Sequence, residues 1–327
     1  MEAIKHTKTC VVGVDISMET TTYAIIDIRG NILVQESFGT LDYPQIDAYV
    51  ASLCDRITDM VLRNGGYEKV RSVGVCSPSS NFLTGCMENA ANMPWKGVIP
   101  LAAMMRDRLG LAVAVGNNAH CVGLGEQSFG SARGMKNFLV ITLGYGLGSS
   151  VFSNGKAHLG CDGFSGEFGH CCIVPDGRQC TCGRKGCLEA YCSTRGILQT
   201  ARELMEESDK PSRMRLVESL TPKIVASFCE LGDELSIETF RRTGEVLGLG
   251  LANYASVLNP EAIILTGGIP HAGRWLLEPM EKSFEQHVFP NIRRKTKLLA
   301  SFLENEMRDV LGASVLAWKV KEYSLFT

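Results

Sequence analysis

The segment from Gly166 to Ser193 reads GEFGHCCIVPDGRQCTCGRKGCLEAYCS and holds the residues whose chemistry is easiest to name. Cys180, Cys182 and Cys187 put three thiols in a short loop turned by Gly183 and Gly186, and His170 lies ten residues before Cys180. Three thiolates and one imidazole make a closed, soft, four-ligand set. Such a set suits a structural zinc ion, because no coordination position is left open for catalysis. Cys171 and Cys172 are alternative ligands; a reduced cysteine-rich loop without metal is the competing reading, but it leaves the glycine spacing without a purpose.

The chain around this loop has 327 residues, 45% hydrophobic and 21% charged, with a formal net charge of -2. Its length suits two domains better than one core. The near-neutral charge implies no bulk attraction to nucleic acid or anionic membrane. No apolar run approaches the ~20 residues of a membrane span, and Met1 to Thr9 lacks the apolar core of a signal peptide, which points to the cytoplasm. There are 13 cysteines, and with no secretory signal they do not read as a disulfide framework. Cys10, Cys54, Cys76 and Cys229, in apolar surroundings, read as small core residues.

The elements that must position the loop alternate strand with helix. Cys10 to Ile16, Thr21 to Ile28 and Ile32 to Phe38 read as strands, the last two joined by a turn at Arg29-Gly30-Asn31. A helix follows from about Pro44, with Ile46, Val50, Leu53, Ile57, Met60 and Val61 at three- and four-residue steps, ending at Gly65-Gly66. Val70 to Cys76 and Leu111 to Val115 are further strands, flanking a helix near Leu101 to Leu109. A second block repeats the theme with a hairpin, Phe138 to Leu143 and Gly148 to Ser153. After the cysteine loop come helices near Thr194 to Glu207, Pro222 to Leu231 and Ile237 to Leu258, then a strand, Ala262 to Thr266. A helix near Trp275 to His287, a strand near Lys297 to Ala300 and a helix from Val310 to Glu322 complete the chain. This alternation predicts an α/β protein. Two blocks that each open on a hairpin predict a duplicated fold with a cleft between, divided near Val115: residues 1–115 with 310–327, and residues 116–309 carrying the metal loop.

GEFGH followed by CTCGRKGCLEAY resembles the signature of the ROK family (repressors, open reading frames and sugar kinases). The resemblance continues in family order through GVDI…AIID, NMPW, NNAHCVGLGE, ITLGYGLGSSVFSNGKAHLG and AIILTGGI. It implies a two-domain actin-like (ribonuclease H-like) ATPase fold with sugar and Mg-ATP in an inter-domain cleft, and commonly a homodimer. It also implies the sugar ligands, a hexose or N-acetylhexosamine being held by Asn92, Asn117, Glu167, His170 and Glu189. Carboxylates and amides satisfy sugar hydroxyls, each both donor and acceptor. His170 then has two tasks, which is feasible if one ring nitrogen ligates zinc and the other faces the sugar.

The phosphate end departs from the family pattern. Where the family has Asp-Ile-Gly-Gly-Thr-Lys, this chain has Asp15-Ile16-Ser17-Met18-Glu19-Thr20. Side chains there obstruct the approach of backbone N–H groups to phosphate, and Glu19 adds repulsive charge. The second loop, Gly144-Tyr145-Gly146-Leu147-Gly148-Ser149, replaces a small hydroxyl residue with Tyr145, while the adenine-side pair Gly267-Gly268 is retained. Asn118 stands where the family's catalytic Asp would take the proton from the sugar's primary hydroxyl, and an amide has no useful basicity. His120, two residues on, is a second candidate base.

The expected function is thus a sugar-binding protein of the glucokinase type with lost or strongly reduced phosphoryl transfer, acting as a sensor or regulator through a partner protein. Direct DNA binding is not expected, because only about nine residues precede the first strand. An active ATP-dependent hexose or N-acetylhexosamine kinase is the alternative, and a purely structural role a third.

Overall fold

The computed structural model describes residues 8–90 and 93–320, so the predicted sugar ligand Asn92 lies outside the described residues. The chain divides into two compact units. The first comprises residues 1–133, 159–164 and 303–327; the second comprises residues 134–158 and 165–302.

In the first unit β1 (Cys10–Ile16), β2 (Thr20–Asp27) and β3 (Ile32–Gly39) form an antiparallel meander, followed by α1 (Ile46–Arg63) and β4 (Val70–Ser77). Three short strands, β5 (Ser80–Asn81), β6 (Cys86–Glu88) and β7 (Val98–Ile99), make a small separate sheet that the sequence did not signal. Then come α2 (Leu101–Leu109), β8 (Ala112–Asn117) and α3 (Asn118–Ser128). The main sheet runs β3-β2-β1-β4-β8, with β1, β4 and β8 parallel.

Strand β1 is buried on both faces, which its near-continuous apolar sequence requires. One face packs on α1, whose Tyr49, Val50, Leu53, Ile57 and Met60 are buried. The other carries the chain's last helix, Asn305–Lys319, which fits because β4 has a glycine beneath it: a Cβ on Gly74 would collide with the carbonyl of Ala313. Cys10, Cys54, Cys76 and Cys229 are buried, as their apolar surroundings predicted.

The second unit repeats the topology. Strands β9 (Phe138–Leu143), β10 (Leu147–Ser153) and β11 (Lys156–Ala157) form its meander. Four helices then precede its next strand: α4 (Glu189–Cys192), α5 (Thr194–Glu207), α6 (Pro222–Glu230) and α7 (Glu234–Leu258). Strand β12 (Ala262–Thr266), α8 (Arg274–His287) and β13 (Lys297–Ala300) complete it, and the last helix is α9. The sheet order β11-β10-β9-β12-β13, with β9, β12 and β13 parallel, repeats that of the first unit. Its core gathers Leu139, Ile141, Leu247, Leu251, Ile263 and Phe284 between sheet and helices.

The division near Val115 is corrected to one after Arg133. Strand β8 continues to Asn117 within the first sheet, and α3 lies against α9 so closely that a Cβ on Gly312 would collide with the carbonyl of Cys121. The C-terminal segment of the first unit likewise begins at Leu303 rather than at Val310.

Candidate metal centre and nucleotide cavity

The metal loop is held by the second unit's core before any ion is considered. Tyr254 on α7 donates its hydroxyl to the carbonyl of Phe168 at 2.6 Å, and the two rings stack with centroids 4.3 Å apart. This fixes the 3-10 turn Phe168–His170. Downstream the loop folds as a small antiparallel ribbon, bridging Cys172 to Cys187 and Gln179 to Lys185.

The ribbon brings His170, Cys180, Cys182 and Cys187 together, with all four donor atoms within 4.8 Å of one another. Cys180 Sγ lies 3.6 Å from His170 Nδ1, and Cys182 Sγ lies 3.7 Å from Cys187 Sγ. A tetrahedron with metal–sulfur bonds of about 2.3 Å and a metal–nitrogen bond of about 2.0 Å has edges of about 3.6–3.8 Å. The donor set and its spacing therefore fit a tetrahedral ion, and the Cys182–Cys187 separation is far from the ~2.05 Å of a disulfide. Cys171 and Cys172 stand outside the set. Burial, then the neighbouring Cys180 and Cys182, push the Cys187 thiol up to about 12. On the far side of the imidazole, His170 Nε2 faces Glu167 Oε2 at 4.0 Å. Nδ1 thus points into the cluster and Nε2 away from it, the division of labour that two tasks for His170 require.

The remaining predicted sugar residues differ in how far they are free. Glu167 is exposed. Glu189 is partly buried and already engaged, Oε2 accepting the backbone N–H of Leu147 at 2.9 Å and Oε1 the hydroxyl of Thr181 at 3.2 Å. In the first unit Asn117 is the N-cap of α3, its Oδ1 accepting the N–H of Ala119 at 2.9 Å. Its amide N–H groups remain as donors.

In the first unit the residues that depart from the family's phosphate loop lie at the turn between β1 and β2. The β1–β2 turn closes on itself: Ser17 N donates to the carbonyl of Thr20 at 3.0 Å, and Ser17 Oγ accepts the N–H of Thr20 at 3.2 Å. The donors of Ser17 and Thr20 are therefore already used. Asn118 Oδ1 is buried without a hydrogen-bond partner, and so is Asp15 Oδ1. Burial, then the neighbouring Asp309, push the Asp15 carboxyl up to about 7. His120 sits edge-on to Phe82, and burial, then Lys319, lower it to about 4. A neutral imidazole of such low basicity is a poor acceptor for a hydroxyl proton.

The second unit contains a cavity of about 570 Å³ that joins residues distant in sequence: Gly144, Thr194, Thr221, Lys223, Gly268 and His271. Thr194 donates both its N–H and its hydroxyl to the carbonyl of Gly144, at 2.8 and 3.0 Å. Thr221 caps α6, followed by Pro222 and Lys223, so the positive end of a helix and an ammonium group lie at its wall. Gly267 has φ +96 and packs on the Leu143 carbonyl, where a side chain would collide. Of the predicted nucleotide residues, Gly144 and Gly268 line this cavity, Gly146 and Gly267 flank it in sequence, and Asp15 belongs to the first unit. Thr194, Thr221, Lys223 and His271 were missed. Their one local signal was the Thr221-Pro222 cap, which marks a helix start and not a ligand.

Among the described residues no helix is long and apolar enough to cross a membrane. The ROK family model matches residues 11–320. The glucokinase of Halalkalibacterium halodurans is 32% identical over 321 residues, 95% of this chain and 94% of that protein. The xylose repressor of Bacillus spizizenii is 26% identical over 295 residues, 89% of this chain and 73% of the repressor. A ROK family glucokinase from Streptomyces griseus, solved in complex with glucose and AMPPNP, superposes with a TM-score of 0.76 at 29% identity, covering 95% of this chain and 100% of that one. With the same sheet order in both units, the chain belongs to the ROK family and has the two-domain actin-like fold of its sugar kinases.

Proposed function

We propose that this protein binds a hexose or N-acetylhexosamine and has lost, or strongly reduced, phosphoryl transfer, serving as a sugar sensor or regulator. The observation that carries this reading is Asn118. Its amide stands at the position the family resemblance gives to the catalytic base, with Oδ1 buried and unpartnered. Loss of a positioned general base typically costs about 10²–10⁴-fold in rate. The self-closed Ser17–Thr20 turn adds to the loss.

Zinc is the ion the cluster suits. His170 Nδ1 and the sulfurs of Cys180, Cys182 and Cys187 would fill all four positions, so the ion would brace the loop rather than activate water. Sugar hydroxyls would then meet Glu167, the Nε2 side of His170 and Glu189, and the family resemblance names Asn117 and Asn92 as further ligands. The family resemblance supports a homodimer, and a regulatory role would act through a partner protein.

A specific observation favours the second reading, an ATP-dependent kinase. The cavity through Gly144 and Gly268 has a volume that suits a small-molecule ligand such as a nucleotide, with a helix N-terminus and Lys223 at its wall. A thermal-shift screen of sugars with and without Mg-ATP tests the proposal, since a ligand of the folded state raises its stability. Stabilisation by a sugar alone is the expected result. No binding of any sugar at millimolar concentration would leave a purely structural role as the better account.

A further inference from the structure

Glu189 does more than a sugar ligand requires. It opens α4 two residues after the metal-cluster residue Cys187, and its carboxylate reaches in two directions. Oε1 accepts the hydroxyl of Thr181, the residue between Cys180 and Cys182, at 3.2 Å, and lies 3.9 Å from Cys180 Sγ. Oε2 accepts the N–H of Leu147, the first residue of β10, at 2.9 Å. A carboxylate accepting a backbone N–H makes a charge-assisted bond, stronger than a neutral one.

The hairpin is shaped to receive that carboxylate. A Cβ built on Gly146 would lie 2.8 Å from Glu189 Oε2, so a side chain there would push the carboxylate off its present position. Gly144 N donates to the carbonyl of Gly146 at 3.0 Å, which closes the turn. Five residues after Glu189, Thr194 holds the other limb through the Gly144 carbonyl. Segment 189–194 therefore clamps both ends of the turn 144–147, and that segment leaves directly from the metal cluster. Gly144 in turn forms part of the cavity wall.

We propose that Glu189 is a positioning residue that transmits the state of the metal loop to the glycine hairpin, so that zinc loading sets nucleotide affinity in the adjacent cavity. This rests on reading the cluster as a zinc site and the cavity as a nucleotide site. Without the ion, Thr181 and Cys180 are no longer held at one end of the carboxylate. The Leu147 N–H then loses a fixed acceptor, and the turn at Gly144 relaxes.

The test uses zinc-loaded protein and two readouts, amide hydrogen exchange at Leu147 and calorimetric binding of ADP. Glu189→Ala should speed exchange at Leu147 about tenfold or more and weaken ADP by a similar factor, the loss of one charge-assisted hydrogen bond. Its zinc content should equal that of the wild type. Gly146→Ala should weaken ADP alone, yet add less than about threefold in the Glu189→Ala background, because the colliding partner is gone. Chelation under conditions where the protein stays folded should speed Leu147 exchange in the wild type and not further in Glu189→Ala. Wild-type exchange rates in Glu189→Ala, or independent effects of the two substitutions, would overturn the link. A wild type that binds no ADP at millimolar concentration would overturn the nucleotide reading and its affinity arm, while the exchange arm decides the link separately.

Discussion

Arg178 and Tyr191 hold each other twice: the guanidinium lies over the tyrosine ring, 4.7 Å from its centroid, and the tyrosine hydroxyl accepts the Arg178 backbone N–H at 2.8 Å. The same guanidinium donates to Thr200 Oγ1 at 2.9 Å, to the carbonyls of Gly196 and Ala190, and to Glu203. Its side chain is only 12% exposed. Arg178 thus ties the metal loop to α4 and α5 independently of any ion. Arg178→Ala should destabilise the protein by about 1–3 kcal/mol, since it strips hydrogen bonds and packing from Thr200, Gly196 and Tyr191, while Glu203, 37% exposed, regains water. Arg178→Lys should recover less than half, because an ammonium lacks the planar fork and the stacking face. Denaturant unfolding measures both, and a loss within a few tenths of a kcal/mol for Arg178→Ala would show that the ion pair is a surface ornament.

Removing the metal should lower stability and sugar affinity together. His170 and Glu167 face each other at 4.0 Å, and the histidine's orientation depends on what Nδ1 binds. Chelation is expected to depress Tm on the order of 10 °C and to abolish sugar binding in calorimetry. Metal-free protein that binds sugar as the loaded protein does would break that connection.

Asn118→Asp supplies the missing carboxylate and nothing else. The Ser17–Thr20 turn still consumes its own donors, and Tyr145 still stands in the second loop, 83% exposed. Turnover in a coupled assay should therefore stay below about 1 s⁻¹, the low end of ordinary enzymes. Full recovery from this one change would mean that the two loops matter less than their departures suggest.

Asp15 gives a pH signature. Burial and Asp309 raise its carboxyl to about 7 in the folded protein, so the folded state holds that proton more tightly than the unfolded chain. Its contribution to stability is full below about pH 4 and is lost as pH rises through about 7. Asp15→Asn cannot ionise. The variant should gain on the wild type across that window, at no more than about 1.4 kcal/mol per pH unit, and level off above it. Denaturant midpoints of the pair at several pH values decide it, and a difference that stays flat between those two limits refutes the assignment.

Much of this architecture could be read from periodicity and punctuation. The boundaries of α5, β12 and β13 coincide with those predicted, and α1 buries the apolar stripe counted from Val50 to Val61. Helix α3 is hard to see in the sequence, because Gly123 and Gly125 depress helix propensity and its N-cap, Asn117, is also a residue type that binds sugar hydroxyls. That His170, Cys180, Cys182 and Cys187 cluster was legible because three thiols and an imidazole at loop spacing match the donor preferences of one class of ion. Glu189 was legible as a polar site residue and not as a bridge, since its partner Leu147 is a backbone donor with no side-chain signature. The cavity was the least legible part. Residues 144, 194, 221–223 and 268–271 meet only after the sheet and its helices assemble, and nothing local marks their convergence.

The most direct test of the central claim is sugar-dependent ADP formation, measured at saturating Mg-ATP over a panel of hexoses and N-acetylhexosamines. With Asn118 in place of a base, turnover should fall at least 10²-fold below the ~1–10³ s⁻¹ of ordinary enzymes for every sugar, including any that stabilises the fold. Turnover within about tenfold of that range for any one sugar would contradict the loss of phosphoryl transfer and establish an active kinase.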